Sequence, residues 1–186
     1  MTVLTTARLR LEPMADAHFE GLRVMNADPE VMRYILGRPE TPEETRHMIE
    51  RVQARWARCG YAGWTFIERE TGVVAGAGCL QNLRRQPAPE PDPTCPIEIG
   101  WRLRRDRWGR GLATEAAQAM AIYAFDVLKT DPLLACCEPA NTASSHVMSK
   151  LGMHCRGLET WYGRERATYE VSAATWRATA QPKRTA

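Results

Sequence analysis

The chain has 186 residues, 44% hydrophobic and 25% charged, the make-up of one ordinary globular domain or one domain with a short tail. A formal net charge of +3 is too small to argue for a nucleic-acid partner, and the basic residues are scattered except around 102–110. No apolar run approaches the roughly 20 residues that span a bilayer, and the first residues lack the pattern of a signal peptide, so the expectation is a cytoplasmic protein with no membrane partner.

Arg8 to Glu12 alternates at period two and predicts a first strand. Asp16 to Met25 follows as a short helix. Asp28-Pro29-Glu30 starts another, with a capping Asp, Pro at the first position and an acid in the first turn; it runs to Ile35 and ends near Gly37. Thr41-Pro42-Glu43-Glu44 opens a third by the same logic, with Met48, Ile49, Val52 and Trp56 on one face and a stop at Gly60. Trp64 to Glu68 and Val73 to Leu83 read as strands around the hairpin turn Arg69–Gly72. Pro87, Pro89, Pro91, Pro93 and Pro96 exclude a helix or central strand from 84–96, which reads as a long exposed loop.

Ile97 to Leu103 is a strand and Ala113 to Phe125 a helix. Leu133 to Cys137 is a strand, and Thr142 to Leu151 a helix that Gly152 closes. His154 to Trp161 and Arg166 to Ser172 form a terminal hairpin around Gly163, and the chain from Thr179 is a polar tail. Short turns make the early strands antiparallel, and helical crossovers make the later ones parallel. The order predicts one α/β domain over 1–178, with a flexible tail at 179–186 and a mixed sheet bearing helices on both faces.

The six cysteines make no C-x-x-C pair and the four histidines do not cluster, so no metal site is expected and the thiols read as reduced and mostly buried. Cys136 and Cys137 are neighbours on a strand and point to opposite faces.

The most informative stretch is Trp108-Gly109-Arg110-Gly111-Leu112-Ala113-Thr114-Glu115, where a strand hands over to a helix. Alternate glycines let the backbone turn tightly and approach a ligand. The first amides of a helix have no partner within it, and the helix dipole adds partial positive charge, so this is an anion site suited to phosphates. Arg104, Arg105, Arg107 and Arg110 crowd it, although a chain with three lysines in all carries most of its positive charge as arginine anyway. The stretch lacks the Gly-Lys-Ser/Thr ending of a P-loop and the early placement of a dinucleotide fold.

With its neighbours, this stretch resembles the GNAT superfamily of acyl-CoA-dependent N-acyltransferases, and within it the branch of ribosomal-protein N-terminal acetyltransferases. The likeness is carried by Thr6–Leu11, Asn26–Tyr34, Glu98-Ile99-Gly100-Trp101 with Trp108–Ala116, and Asn141-Thr142-Ala143-Ser144 with Lys150-Leu151-Gly152-Met153. It covers roughly residues 5–176. It implies an α+β fold with a mixed, mostly antiparallel central sheet of about seven strands. It also implies transfer of an acetyl group from acetyl-CoA to a primary amine by direct attack in a ternary complex. The acceptor is a protein N-terminus or a small-molecule amine, and the enzyme is a monomer or a homodimer. Much of the superfamily has Arg or Gln where this chain has Trp108.

The resemblance carries cofactor roles onto Trp108 and the amides of Gly109, Arg110, Gly111, Leu112, Ala113 and Thr114 for pyrophosphate. It carries the edge of Trp101, Arg102 and Leu103 for the pantetheine arm, and Arg105 or Arg110 for the outer phosphate. An amine must lose a proton to attack, and Glu98 is the candidate base, with Glu138 in reserve; Glu98 also reads as a glutamate on a solvated strand face. Where many members use a tyrosine to protonate the leaving thiolate, this chain offers Ser144, which also reads as a first-turn serine. Asn141 reads as a helix cap, as a ligand of the cofactor arm, or as both. Acceptor contacts would come from Asn26–Tyr34 and from the hairpin near Trp161 and Tyr162. A non-catalytic acyl-CoA-binding or sensing module on the same fold is the competing reading.

Overall fold

The computed structural model describes residues 1–88 and 90–180. Its strands are β1 (Leu4–Thr5), β2 (Leu9–Pro13), β3 (Gly63–Glu68), β4 (Val74–Asn82), β5 (Ile97–Leu103), β6 (Leu133–Cys137), β7 (His154–Trp161) and β8 (Arg164–Val171). Its helices are α1 (Phe19–Asn26), α2 (Pro29–Met32), α3 (Pro42–Cys59), α4 (Leu112–Asp126), α5 (Thr142–Lys150) and α6 (Ala173–Ala180). The sheet is mixed and mostly antiparallel, and its only parallel pair among the described residues is β5 with β6, the crossover that α4 makes. Eight strands stand where seven were expected, the addition being the two-residue β1.

Local chemistry accounts for these boundaries. Thr41 and Glu44 form a reciprocal capping box at the start of α3, and Gly60 ends it in the left-handed region at φ 76°. Asp28 caps α2 through the amide of Glu30, but α2 stops at Met32, short of the expected Ile35. The amides of Ile35, Leu36 and Gly37 all turn back onto the Met32 carbonyl, which closes the helix early. Helix α6 was not read in the sequence; Ser172 caps it by accepting from the Thr175 amide at 3.1 Å. The rest of the expected tail, 181–186, lies outside the described residues.

The described residues pack as two compact units: 1–81 with 100–120, and 82–88 and 90–99 with 121–180. In the first unit α1 and α3 cover one sheet face and α4 covers the other. Val52 of α3 sits 3.2 Å from where a Cβ on Gly63 would lie, whereas Met120 of α4 sits 2.8 Å from the corresponding point on Gly78. Gly63 pairs with Cys79, one residue beyond Gly78 on β4, so the two helices meet opposite faces. Leu9, Leu11, Trp64 and Phe66 are fully buried in this unit.

In the second unit β6, β8 and β7 follow one another in antiparallel register, and Leu83, Leu134 and Trp161 form a buried cluster. The proline-rich segment is the loop expected, exposed at 85–88, and it is anchored at its start. The Arg84 and Arg85 carbonyls accept the amides of Tyr162 and Gly163 at 2.8 and 2.9 Å. The Arg85 guanidinium lies 3.7 Å over the Trp161 ring and donates to the Thr160 carbonyl at 3.0 Å.

Candidate functional site

In the first unit, β5 ends at Leu103, a short 3-10 turn covers Arg105–Arg107, and α4 begins at Leu112. Gly109 and Gly111 take φ values of 72° and 75°, where a side chain would be strained. Trp101, Arg102 and Leu103 are the strand residues leading into this turn. Trp108 is half exposed, and its indole N–H holds the loop to the Leu103 carbonyl at 2.9 Å. The amides of Gly109, Arg110, Gly111, Leu112, Ala113 and Thr114 have no acceptor among the described residues, and the first helical bond across the junction is Glu115 N to Gly111 O at 3.1 Å. Six consecutive free amides at a helix start form an anion cradle.

Two acids hold the cradle from outside, and sequence reasoning missed both. Glu115 accepts the Thr6 hydroxyl at 2.6 Å and the Arg8 amide at 2.8 Å, and it pairs with the Arg8 guanidinium at 2.6 Å. Burial works to raise its carboxyl, but these donors outweigh it and hold the group below its ordinary value. Arg8 also donates to the Arg110 carbonyl at 2.8 Å. Glu68, buried on β3, takes Arg107 at 2.9 Å and Arg110 at 3.1 Å. Arg104 and Arg107 both meet Asp106. Of the four clustered arginines, Arg105 alone has no ion-pair partner among the described residues. It lines a cavity of about 540 Å³ with Arg104, Asp106, Asp28 and Val31.

The second unit holds the other candidates. Glu98 is 7% exposed, which removes the reading of a solvated strand face. One of its carboxylate oxygens accepts the Tyr162 hydroxyl, and the other accepts the Cys136 thiol at 3.5 Å. Burial first, and the Glu98 charge second, push the Cys136 thiol far up, so it is no thiolate nucleophile. Cys137, on the opposite strand face as expected, is pushed up to about 11 by burial. Glu138 is held by Arg166 at 2.9 Å. Asn141 caps α5 through its Oδ1, which accepts the Ser144 amide at 3.2 Å; its Nδ2 has no acceptor among the described residues. Ser144 is half-buried in the first turn.

Tyr162 was named only as a residue near the acceptor, not as a partner of Glu98. It stands with Gly163 in the two-residue turn between β7 and β8, at φ 57°. A bulky residue in that region is rare, and the strain is a local sign that its direction matters. The usable signal in the sequence was an aromatic residue beside the turn glycine.

Residues 8–154 match the family described as the acetyltransferase (GNAT) domain. An uncharacterized N-acetyltransferase p20 of Bacillus licheniformis is 31% identical over 85% of this chain and 85% of its own. The FsC-acetyl coenzyme A-N(2)-transacetylase of Aspergillus fumigatus is 31% identical over 87% of this chain and 68% of its own. Among solved structures, an acetyltransferase from Agrobacterium tumefaciens superposes with a TM-score of 0.77 at 27% identity, over 92% of this chain and 94% of that one.

Proposed function

The chain belongs to the GNAT acetyltransferase family and is an acetyl-CoA-dependent acyltransferase; from that premise we propose that it acetylates a primary amine by direct attack on the thioester in a ternary complex. The observation that carries the proposal is the run of six unpartnered amides from Gly109 to Thr114. A pyrophosphate needs several donors fixed in advance, and the cradle offers six amides in a row. The strand edge at Trp101, Arg102 and Leu103 pairs with the pantetheine arm. An amide of that edge holds the thioester carbonyl as it gains charge. Arg105, without an ion-pair partner among the described residues, is the side chain for the outer phosphate, whereas Arg110 is already engaged by Glu68.

Glu98 takes the proton of the attacking amine. Its burial and its hydroxyl and thiol partners fix its direction, and Tyr162 orients the carboxylate. Ser144 gives a proton to the leaving thiolate, and Asn141 serves twice, Oδ1 as helix cap and Nδ2 toward the cofactor arm. The acceptor is the α-amine of a protein or a small-molecule amine. The name of the Aspergillus relative points to nitrogen as the atom acetylated in that protein.

Calorimetric titration of the purified protein with acetyl-CoA tests this, with Gly111→Asp as control. Gly111 sits at φ 75°, so any side chain there strains the loop that presents the amides, and a Cβ would lie 3.6 Å from the Arg8 guanidinium. Binding that the variant loses, followed by release of free thiol in the presence of an amine, is the expected result. Equal binding by both proteins would overturn the assignment of the loop, and binding with no turnover over a broad amine panel would overturn the transferase mechanism.

A further inference from the structure

Arg102 has a side chain that the cofactor role does not use. Its backbone belongs to the strand edge, but its guanidinium lies on the sheet face away from the amide cradle. Gly100, two residues earlier, would place a Cβ 3.4 Å from the Cys79 sulfur, on the face that α1 and α3 cover. Leu103, the next residue, packs at Gly76 on the α4 face, 2.4 Å from where a Cβ there would lie. Helix α4 and the cradle are on that second face. The anion that Arg102 serves is therefore not the one the cradle holds.

The guanidinium is half-buried and carries no paired carboxylate among the described residues. Among the described residues its one hydrogen bond runs from Nε to Asn26 Oδ1 at 3.1 Å. Asn26 is fully buried at the end of α1, and its Nδ2 donates to Glu40 at 2.7 Å and to the Thr45 hydroxyl at 3.3 Å. Thr45 in turn donates to Glu40 at 3.1 Å. This chain of bonds fixes the Asn26 amide so that its oxygen faces the arginine, and it engages one Glu40 oxygen elsewhere. Burial lowers the affinity of Arg102 for its proton, and the charge of Glu40 offsets that only in part. Four N–H donors on the two Nη atoms remain, in a fork that fits a carboxylate.

We propose that Arg102 is a specificity-determining residue that binds a carboxylate on the acceptor, so the preferred acceptor is an amine that also carries a carboxylate. Asn26 is its positioning residue. This rests on the acetyltransferase reading above and narrows it. The carboxylate belongs to a free amino acid or to an acidic residue beside a peptide N-terminus; both present the same group to the fork.

The test uses matched acceptors that differ only as carboxylate and carboxamide, in two arms: free amino acids against their amides, and peptides with glutamate against glutamine next to the N-terminus. Thiol release gives kcat/KM for each, and calorimetry on the enzyme with coenzyme A bound gives acceptor affinity without turnover. For at least one arm, wild type should favour the carboxylate about tenfold or more, the scale of a charge-assisted bond. That ratio should collapse toward unity in Arg102→Gln and fall partway in Arg102→Lys, chiefly through KM, with unfolding midpoints recorded for both. The arm that shows the effect identifies the source. No carboxylate preference in either rate or affinity, or an equal loss for both members of each pair, overturns the proposal. Carboxylate-dependent binding without turnover would leave it standing and overturn the transferase mechanism alone.

Discussion

The hydroxyl of Tyr162, on the turn between the last two strands, donates to the buried carboxylate of Glu98. Tyr162→Phe removes a donor from a buried acid while keeping the ring. A buried carboxylate deprived of a partner costs about 1–3 kcal/mol, so urea unfolding should show a loss of that size. Turnover should fall with it, and acetyl-CoA affinity should not. An unchanged unfolding curve would mean the hydroxyl does not hold Glu98.

Glu98→Gln keeps size and burial but cannot take a proton. A positioned base contributes roughly 100- to 10,000-fold, and kcat should fall by that order with acetyl-CoA affinity kept. Ser144→Ala should lose less, because solvent can protonate a thiolate. Wild-type turnover in both variants would remove both residues from the mechanism.

Glu68 carries the arginines on the outer side of the cradle, with its side chain 9% exposed. Glu68→Gln leaves Arg110 without its charge partner and Arg107 with Asp106 alone, and should destabilise the protein by about 2 kcal/mol. Arg110→Ala, at a half-exposed position, should cost less than about 1 kcal/mol. Urea midpoints for the two variants check the order.

Glu115 links stability to pH. Its folded carboxyl is held below its ordinary value near 4.5. Such a group contributes stability that is fully present above the unfolded value and is lost as pH falls through the folded one. The urea midpoint of wild type should therefore fall on acidification below that ordinary value, and Glu115→Gln should remove part of the fall. A parallel decline in both would show that the Arg8 and Thr6 contacts do not discriminate between the two protonation states.

Thiol reactivity should divide by burial. Cys59 and Cys155 are exposed, whereas Cys136 and Cys137 have raised thiols. Iodoacetamide under native conditions should label the first pair and spare the second, as mass spectrometry would read directly. Labelling of Cys136 ahead of Cys59 would contradict the buried contact with Glu98.

Much of the fold was legible because its signals are local. The Thr41 capping box, the Asp28–Pro29 start, the five-proline loop and the glycines of the cradle each act within a few residues. The misses lie where distant parts of the chain decide. The early end of α2 depends on three amides converging on one carbonyl. Glu115 reads as a first-turn acid until Thr6 and Arg8 arrive from the turn between β1 and β2, and Glu68 reads as a strand-end acid until Arg107 and Arg110 reach it. Glu98 was legible as a candidate by its place between two isoleucines. Its partners Tyr162 and Cys136 come from other strands and turns, which no spacing rule connects.

Gly78 gives the first unit an unforgiving tolerance. A methyl group there would meet the Gly100 carbonyl at 2.7 Å and the tip of Met120 at 2.8 Å, and backbone oxygen cannot move aside as a side chain can. That carbonyl belongs to the neighbouring strand β5, so the contact that cannot give lies within the sheet, whereas the Met120 tip on α4 can swing away. A single carbon added on β4 would therefore press β4 away from β5. Gly78→Ala should register as a lowered urea midpoint, because the crowded atom is backbone of the next strand.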